Sequence, residues 1–214
     1  MSIRYSVALI PEPSFTARAY RVRQLVCGQY ASWAAEMHML HLTLVELFLC
    51  PDSAVGPLSS GLAKIAEGCH RRVPRFPLVH RGASTSPDDK GNIHLDFTVP
   101  DNPMERSQRE LNSLHQEVVG LLGQSDGVVL DPHSAGERFH PRINLMQHAS
   151  LPPAVFDTAV EFARAVLRDL QVPNNTRAWQ LVLLRFESQA AGDDWGSGRW
   201  AADLRWQLLD TYPL

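Results

Sequence analysis

Two stretches of the sequence carry side chains suited to proton transfer and anion binding: "LHLTLVE" at 40–46 and "FHPRINL" at 139–145. Side chains of a strand alternate faces with period two. In the first stretch Leu40, Leu42 and Leu44 fall on one face and His41 and Thr43 on the other, about 7 Å apart along the strand at a rise of roughly 3.3 Å per residue. In the second, Phe139, Pro141, Ile143 and Leu145 form the apolar face, and His140, Arg142 and Asn144 the polar one. A core explains the leucines. Packing alone demands neither His nor Thr opposite them.

Two such strands facing one cleft would suit phosphoester chemistry. One neutral imidazole would take a proton from the attacking water or hydroxyl, and the other, protonated, would give one to the leaving oxygen. Histidine serves both roles because its unperturbed pKa of about 6.5 keeps both forms populated near neutrality. Thr43, Arg142 or Asn144 would hold phosphate oxygens and stabilise charge as it builds. This route needs no metal or cofactor. The sequence also lacks HxH and HExxH pairs, GxGxxG, GxxxxGK[ST] and GxSxG, so metal, dinucleotide, P-loop and serine-elbow chemistry have no motif to stand on.

The elements that must position these strands follow from hydrophobic period and turn residues. A strand is expected at 4–10, ended by Pro11 and Pro13, and a helix at 13–30 with Ala17, Tyr20, Leu25 and Cys27 on one face. Residues 37–49 read as the strongest strand. A helix in 52–72, from Pro57 onward, turns Leu58, Leu62, Ile65 and Ala66 inward. Strands at 75–85 and 92–99 follow, joined by the turn "SPDDKGN". A helix at 102–124 carries Leu111, Leu114, Val118, Leu121 and Leu122, and a polar loop leads to the strand at 139–147. The helix at 152–170 shows the clearest apolar stripe, and strands at 176–188 and 198–212 close the chain. The order β-α-β-α-β-β then α-β-α-β-β suggests one domain, 1–214, with an internal duplication of architecture (halves near 1–100 and 101–214).

The bulk numbers set limits. With 214 residues, 44% hydrophobic and 20% charged, the chain is an ordinary globular one with enough length for a sizeable core. A formal net charge of −3 excludes a whole-protein basic field for nucleic acid but leaves room for a local basic cleft. Cys27, Cys50 and Cys69 form no CxxC pair and read as reduced thiols. No segment approaches the roughly 20 apolar residues of a membrane span, and a cytoplasmic monomer is the expectation. Of the remaining histidines, His38 falls by parity on the face opposite His41, and His70, His94, His115, His133 and His148 show no partner spacing. Trp206 and Tyr212 of the closing strand read as core.

The pattern resembles the 2H phosphoesterases, a family that includes bacterial 2'-5' RNA ligase-like proteins and cyclic nucleotide phosphodiesterases. Its hallmark is a pair of His-x-Thr/Ser-x motifs on strands of a two-lobed α+β fold. His41-Leu42-Thr43-Leu44 matches the first motif in full, and the similar element order extends the resemblance over essentially the whole chain. The resemblance implies an α+β fold of two pseudo-symmetric lobes, with antiparallel sheets around a central cleft and helices outside. It implies metal-independent hydrolysis of a cyclic or 2'-5' phosphodiester of a small nucleotide or RNA end. His41 and His140 would be the catalytic pair, with Thr43, Arg142 and Asn144 on the phosphate.

The second motif departs from the family pattern and reads two ways. In one register His140 supplies the histidine and Arg142 replaces the Thr or Ser. In the other, the aromatic-x-Pro that often precedes the family histidine is Phe139-His140-Pro141, so Arg142 takes the His position and Asn144 the Thr position. The second register implies the alternative function, a nucleotide- or anion-binding module with a degenerate second motif.

Overall fold

A computed structural model describes residues 1–86, 91–98, 106–130 and 139–214. The strands are β1 (Ser2–Pro11), β2 (Leu42–Phe48), β3 (Pro77–Val79), β4 (Ala83–Ser84), β5 (Ile93–Asp96), β6 (Arg142–Met146), β7 (Asn175–Ser188) and β8 (Arg205–Pro213). The helices are α1 (Pro13–Tyr30), α2 (Asp52–Arg72), α3 (Arg106–Gly123) and α4 (Pro153–Asp169). All strand pairs are antiparallel. One sheet runs β2-β1-β7-β3, with β8 also paired to β7, and the other runs β4-β5-β6. Each sheet therefore draws strands from both halves of the sequence. The expected α+β architecture with antiparallel sheets is what forms.

The larger sheet has two working faces, set by alternation. Tyr5, Val7, Leu9, Leu42, Leu44, Leu181 and Leu183 point into the main core, beneath α2 and α3. Ser6, Ala8, Thr43, Val182, Leu184 and Phe186 lie on the opposite parity. A second, smaller core of Ala8, Val182, Leu184, Phe186, Trp195, Trp200 and Leu204 forms there. The smaller sheet packs on α1 and α4 through β6 and β4. The cleft lies where the second face of the larger sheet meets β6.

Several expected elements are cut differently, each for a local reason. The chain before β2 is a 3-10 turn at Ala34–Met37, so the strand starts at Leu42 rather than 37. The helix expected from Pro57 begins at Asp52, with Pro57 inside it; the helix gives up one backbone bond there. The strand expected at 75–85 splits at Gly82, whose φ of +95° suits a residue without a side chain. β3 then pairs with β7 and β4 with β5, so the break carries the chain from one sheet to the other. The strand expected from 198 starts at 205, after 3-10 turns at Gly192–Trp195 and Arg199–Ala202. In α1 the buried face is Phe15, Ala19, Val22, Arg23, Val26 and Cys27. Ala17 and Tyr20, expected inside, are exposed. Tyr212 is half-buried against the core, as expected, and its hydroxyl donates to the Ser59 carbonyl. Trp206 is exposed, because β8 is an edge strand. His133 lies outside the described residues. No helix among the described residues is long and apolar enough to cross a membrane.

Candidate functional site

β2 presents the first motif as parity requires. Leu42 and Leu44 are buried in the core, while His41 and Thr43 line a cavity on the other face. β6 supplies Asn144 to the same cavity, whose walls also include His38, Gln147 and Phe186. The space is small, about 50 Å³, on the scale of a few waters or one phosphoryl group. Beside Ser6 the register of β1 on β2 slips, and Leu47 takes φ +44°. This bulge turns both Glu46 and Leu47 toward the cavity. Ser6 Oγ donates to the Val45 carbonyl at 2.7 Å and fixes the distortion.

The second motif places its residues unequally. Asn144 is buried on the wall facing β2, and its Oδ1 meets no hydrogen-bond partner among the described residues. Buried groups of this kind mark places where water or a ligand completes the bonding. Arg142 is half-buried, with Nη2 4.0 Å from Oε1 of Glu46, itself a cavity residue. His140 precedes the strand, is exposed and does not line the cavity. The neighbouring Phe139 instead stacks on His115, with ring centroids 4.0 Å apart and planes 5° from parallel. Of the five candidates, the structure brings together His41, Thr43 and Asn144, sets Arg142 beside them, and leaves His140 apart.

His38, assigned by parity to the opposite face, belongs to this site. Parity misplaces it because the chain between His38 and β2 is not a continuous strand. The His38 and His41 rings lie 5.1 Å apart, centroid to centroid. Both Nδ1 atoms face one acceptor, the Met39 carbonyl, at 3.0 and 2.8 Å. A donor Nδ1–H on His41 leaves Nε2 as the unprotonated, lone-pair nitrogen. Burial pushes His38 down to about 4, helped by the charge of Arg23 and opposed by the bonds to Met39 and Gln147. Burial likewise pushes His41 down to about 3, with His38 and Arg23 lowering it further against the Met39 bond. Both rings are neutral at pH 7. A neutral His38 donates from one ring nitrogen only: Nε2–H to Gln147 Oε1 at 2.9 Å, which leaves the Met39 carbonyl to His41 Nδ1–H.

Behind the rings sits Arg23, fully buried in α1. Its Nε donates to the Asn144 carbonyl at 3.1 Å, and its Nη1 to the carbonyls of Ala35 and His38 at 2.7 and 2.9 Å. One guanidinium thus ties β6 to the turn that carries His38. Burial lowers its pKa to about 10, against the pull of Glu36, so it stays cationic at neutral pH. A signal for it existed: Arg23 is four residues after Ala19 and four before Cys27, on the buried stripe of α1.

The connection between β7 and β8 closes the cavity from above. Trp195 Nε1 donates to Ser2 Oγ at 2.8 Å, and Trp200 Nε1 to the Trp195 carbonyl at 2.9 Å. Trp200 meets both the His38 ring, at 6.0 Å between centroids, and the His148 ring, edge-on at 5.7 Å. Among the described residues no group of three or more His, Cys, Asp or Glu gathers as a metal site would require.

Neither a protein-family model nor a curated protein matches the chain. Solved structures do. Escherichia coli LigT in complex with 3'-AMP superposes with a TM-score of 0.57 at 18% identity, over 99% of this chain and 97% of that one. The fold is that of LigT. A crystal structure described as a phosphoesterase gives 0.53 at 15% identity over 100% and 99% of the two chains. The protein TT0787 of Thermus thermophilus gives 0.53 at 17%, over 99% and 97%. At these identities the likeness is one of fold, and the chemistry must be argued from this chain's own residues.

Proposed function

We propose that the chain binds the phosphate of a small nucleotide or RNA end in the cavity of His41, Thr43 and Asn144, and that it lacks two-histidine hydrolysis. The observation that carries this reading is on β6: Asn144 lines the cavity and Arg142 stands beside it, while His140 is exposed outside the strand. This supports the register in which Arg142 and Asn144 occupy the second His and Thr positions. Hydrolysis by paired histidines needs a protonated donor at the leaving oxygen. The two histidines that share the cavity are both driven neutral and stand side by side. Anion binding is supported by the buried cation Arg23 behind the wall, by the Thr43 hydroxyl and by the Asn144 side chain, whose NH₂ group can donate to a phosphate oxygen. Escherichia coli LigT is seen in complex with 3'-AMP and with phosphate, which makes these the natural probes.

The tautomer of His41 favours a second reading. With Nδ1–H held by Met39, its Nε2 is a base oriented by the backbone. It could deprotonate water for a slow hydrolysis in which the leaving group departs unassisted. Calorimetric titration with 3'-AMP and turnover of 2',3'-cyclic phosphates and 2'-5' dinucleotides separate the two readings. The binding reading expects association without turnover. Turnover that disappears in His41→Ala would establish the hydrolytic one.

A further inference from the structure

A second, larger groove adjoins the cavity. It offers about 390 Å³, within the range of pockets that hold small organic ligands, about 300–1,000 Å³. The inner cavity, about 50 Å³, is far too small for a nucleoside. Gln147 lines both spaces. The 3-10 turn Arg199–Ala202 is likewise shared, giving Trp200 to the inner space and Arg199 and Ala201 to the outer. A ligand with its phosphate inside would have its remaining atoms led into this groove.

The groove carries a flat apolar surface with polar edges. Trp33, just past the C-terminus of α1, lies in it and is 55% exposed. Its Cη2 lies 3.9 Å from where a Cβ on Gly28 of α1 would be, so the indole rests against that helix while more than half of the residue stays open. Tyr30, His148, Ser150 and Arg199 line the same groove. The floor is a built one: Gly198, with φ +78°, lies so close to His148 that an added Cβ would be 2.3 Å from its ring. His148 itself holds φ +51°, and its backbone N–H donates to Asn92 Oδ1 at 2.7 Å. Non-glycine residues keep such φ values only where their surroundings enforce them.

We infer that this groove seats an unpaired nucleobase, stacked on the Trp33 indole, of the nucleotide whose phosphate occupies the His41–Thr43–Asn144 cavity; the inference rests on the phosphate reading above. Indole stacking accepts any base, since every base has a π-face. The groove thus gives a preference for nucleotides over bare phosphate without fixing base identity. The test compares inorganic phosphate and 3'-AMP by calorimetric titration of the native protein, Trp33→Ala and Trp33→Phe. The native protein is expected to bind 3'-AMP about tenfold or more tighter than phosphate, the scale of one stacked base. That ratio should collapse in Trp33→Ala and survive in Trp33→Phe. A ratio near one in the native protein, or one unchanged in Trp33→Ala, overturns the groove assignment. If phosphate does not bind but 3'-AMP binds in a Trp33-dependent way, the phosphate reading falls and the groove stands. If neither ligand binds, both fall.

Discussion

β2 and β6 face the same cleft, yet only one of them carries a complete motif. On β2 the alternation runs without interruption from Leu40 to Leu44, so His41 and Thr43 reach the cavity together. On β6 Pro141 precedes the first paired residue, and the strand begins at Arg142. Proline has no backbone N–H to give a neighbouring strand, so Pro141 contributes only its carbonyl, which accepts from Phe97 N–H. His140 falls on the wrong side of that boundary and ends in solvent. His41 also precedes its strand, by one residue, but its Nδ1 faces the Met39 carbonyl and its ring is buried on the cavity wall; the difference shows that a histidine at the right parity counts only if its own backbone surroundings aim it.

The comparison can be reversed by mutation. Arg142→His with Asn144→Thr would give β6 the residues that β2 already has. Turnover of 2',3'-cyclic phosphates should rise about 100-fold over the native protein, the lower end of what general acid–base catalysis contributes. A steady-state assay at pH 7 reads it, and no gain would mean that β6 cannot aim a histidine at the phosphate at all.

Arg23 is the tie between the two regions. Arg23→Met keeps the aliphatic volume but leaves the carbonyls of Ala35, His38 and Asn144 without their donor. Unfolding in urea should show a loss of about 3 kcal/mol or more, from buried acceptors left unsatisfied. A loss below about 1 kcal/mol would show that the carbonyls find water instead.

Protonation tests the histidine side of the cleft. His38 and His41 have folded values of about 4 and about 3, below the ordinary imidazole value of about 6.5. Below that value the unfolded chain takes up protons that the fold resists. The stability held by the neutral rings is complete above about pH 7 and is lost as pH falls from about 6.5 toward 4. Each ring should cost roughly 2 kcal/mol between pH 7 and pH 5. His38→Gln and His41→Gln should each flatten the pH dependence of the urea midpoint. The smallest effect belongs to the other strand: His140→Ala, at an exposed site, should shift stability by less than about 0.5 kcal/mol.

Much of this was legible in the residues. The span of α1, the apolar stripes of α3 and α4, and the alternation of β2 are local patterns, and they appear as the periodicity requires. The parts that escaped depend on long-range contacts or on irregular backbone. Arg23 sits at helical spacing from Ala19 and Cys27, but its role shows only when a carbonyl 121 residues away arrives to meet it. His38 is misassigned by parity because a 3-10 turn resets the chain ahead of β2. Trp195 sits in a segment rich in Gly and Asp, which reads as turn, and Trp200 falls within the strand expected at 198–212. Their burial comes from folding back onto β1 and β7. Asn144 and Arg142 were identified as candidates, but their register against His140 was open, because a two-residue shift keeps the same face.

The central claim is that the cleft binds through His41, Thr43 and Asn144 without a second catalytic histidine. The most direct measurement combines 3'-AMP binding and 2',3'-cyclic phosphate turnover on the same preparations of native protein, Asn144→Ala and His140→Ala. The account predicts binding without turnover in the native protein, binding weakened by about tenfold in Asn144→Ala, on the scale of one hydrogen bond to a charged group, and binding unaltered in His140→Ala. Turnover by the native protein that vanishes in His140→Ala would contradict it.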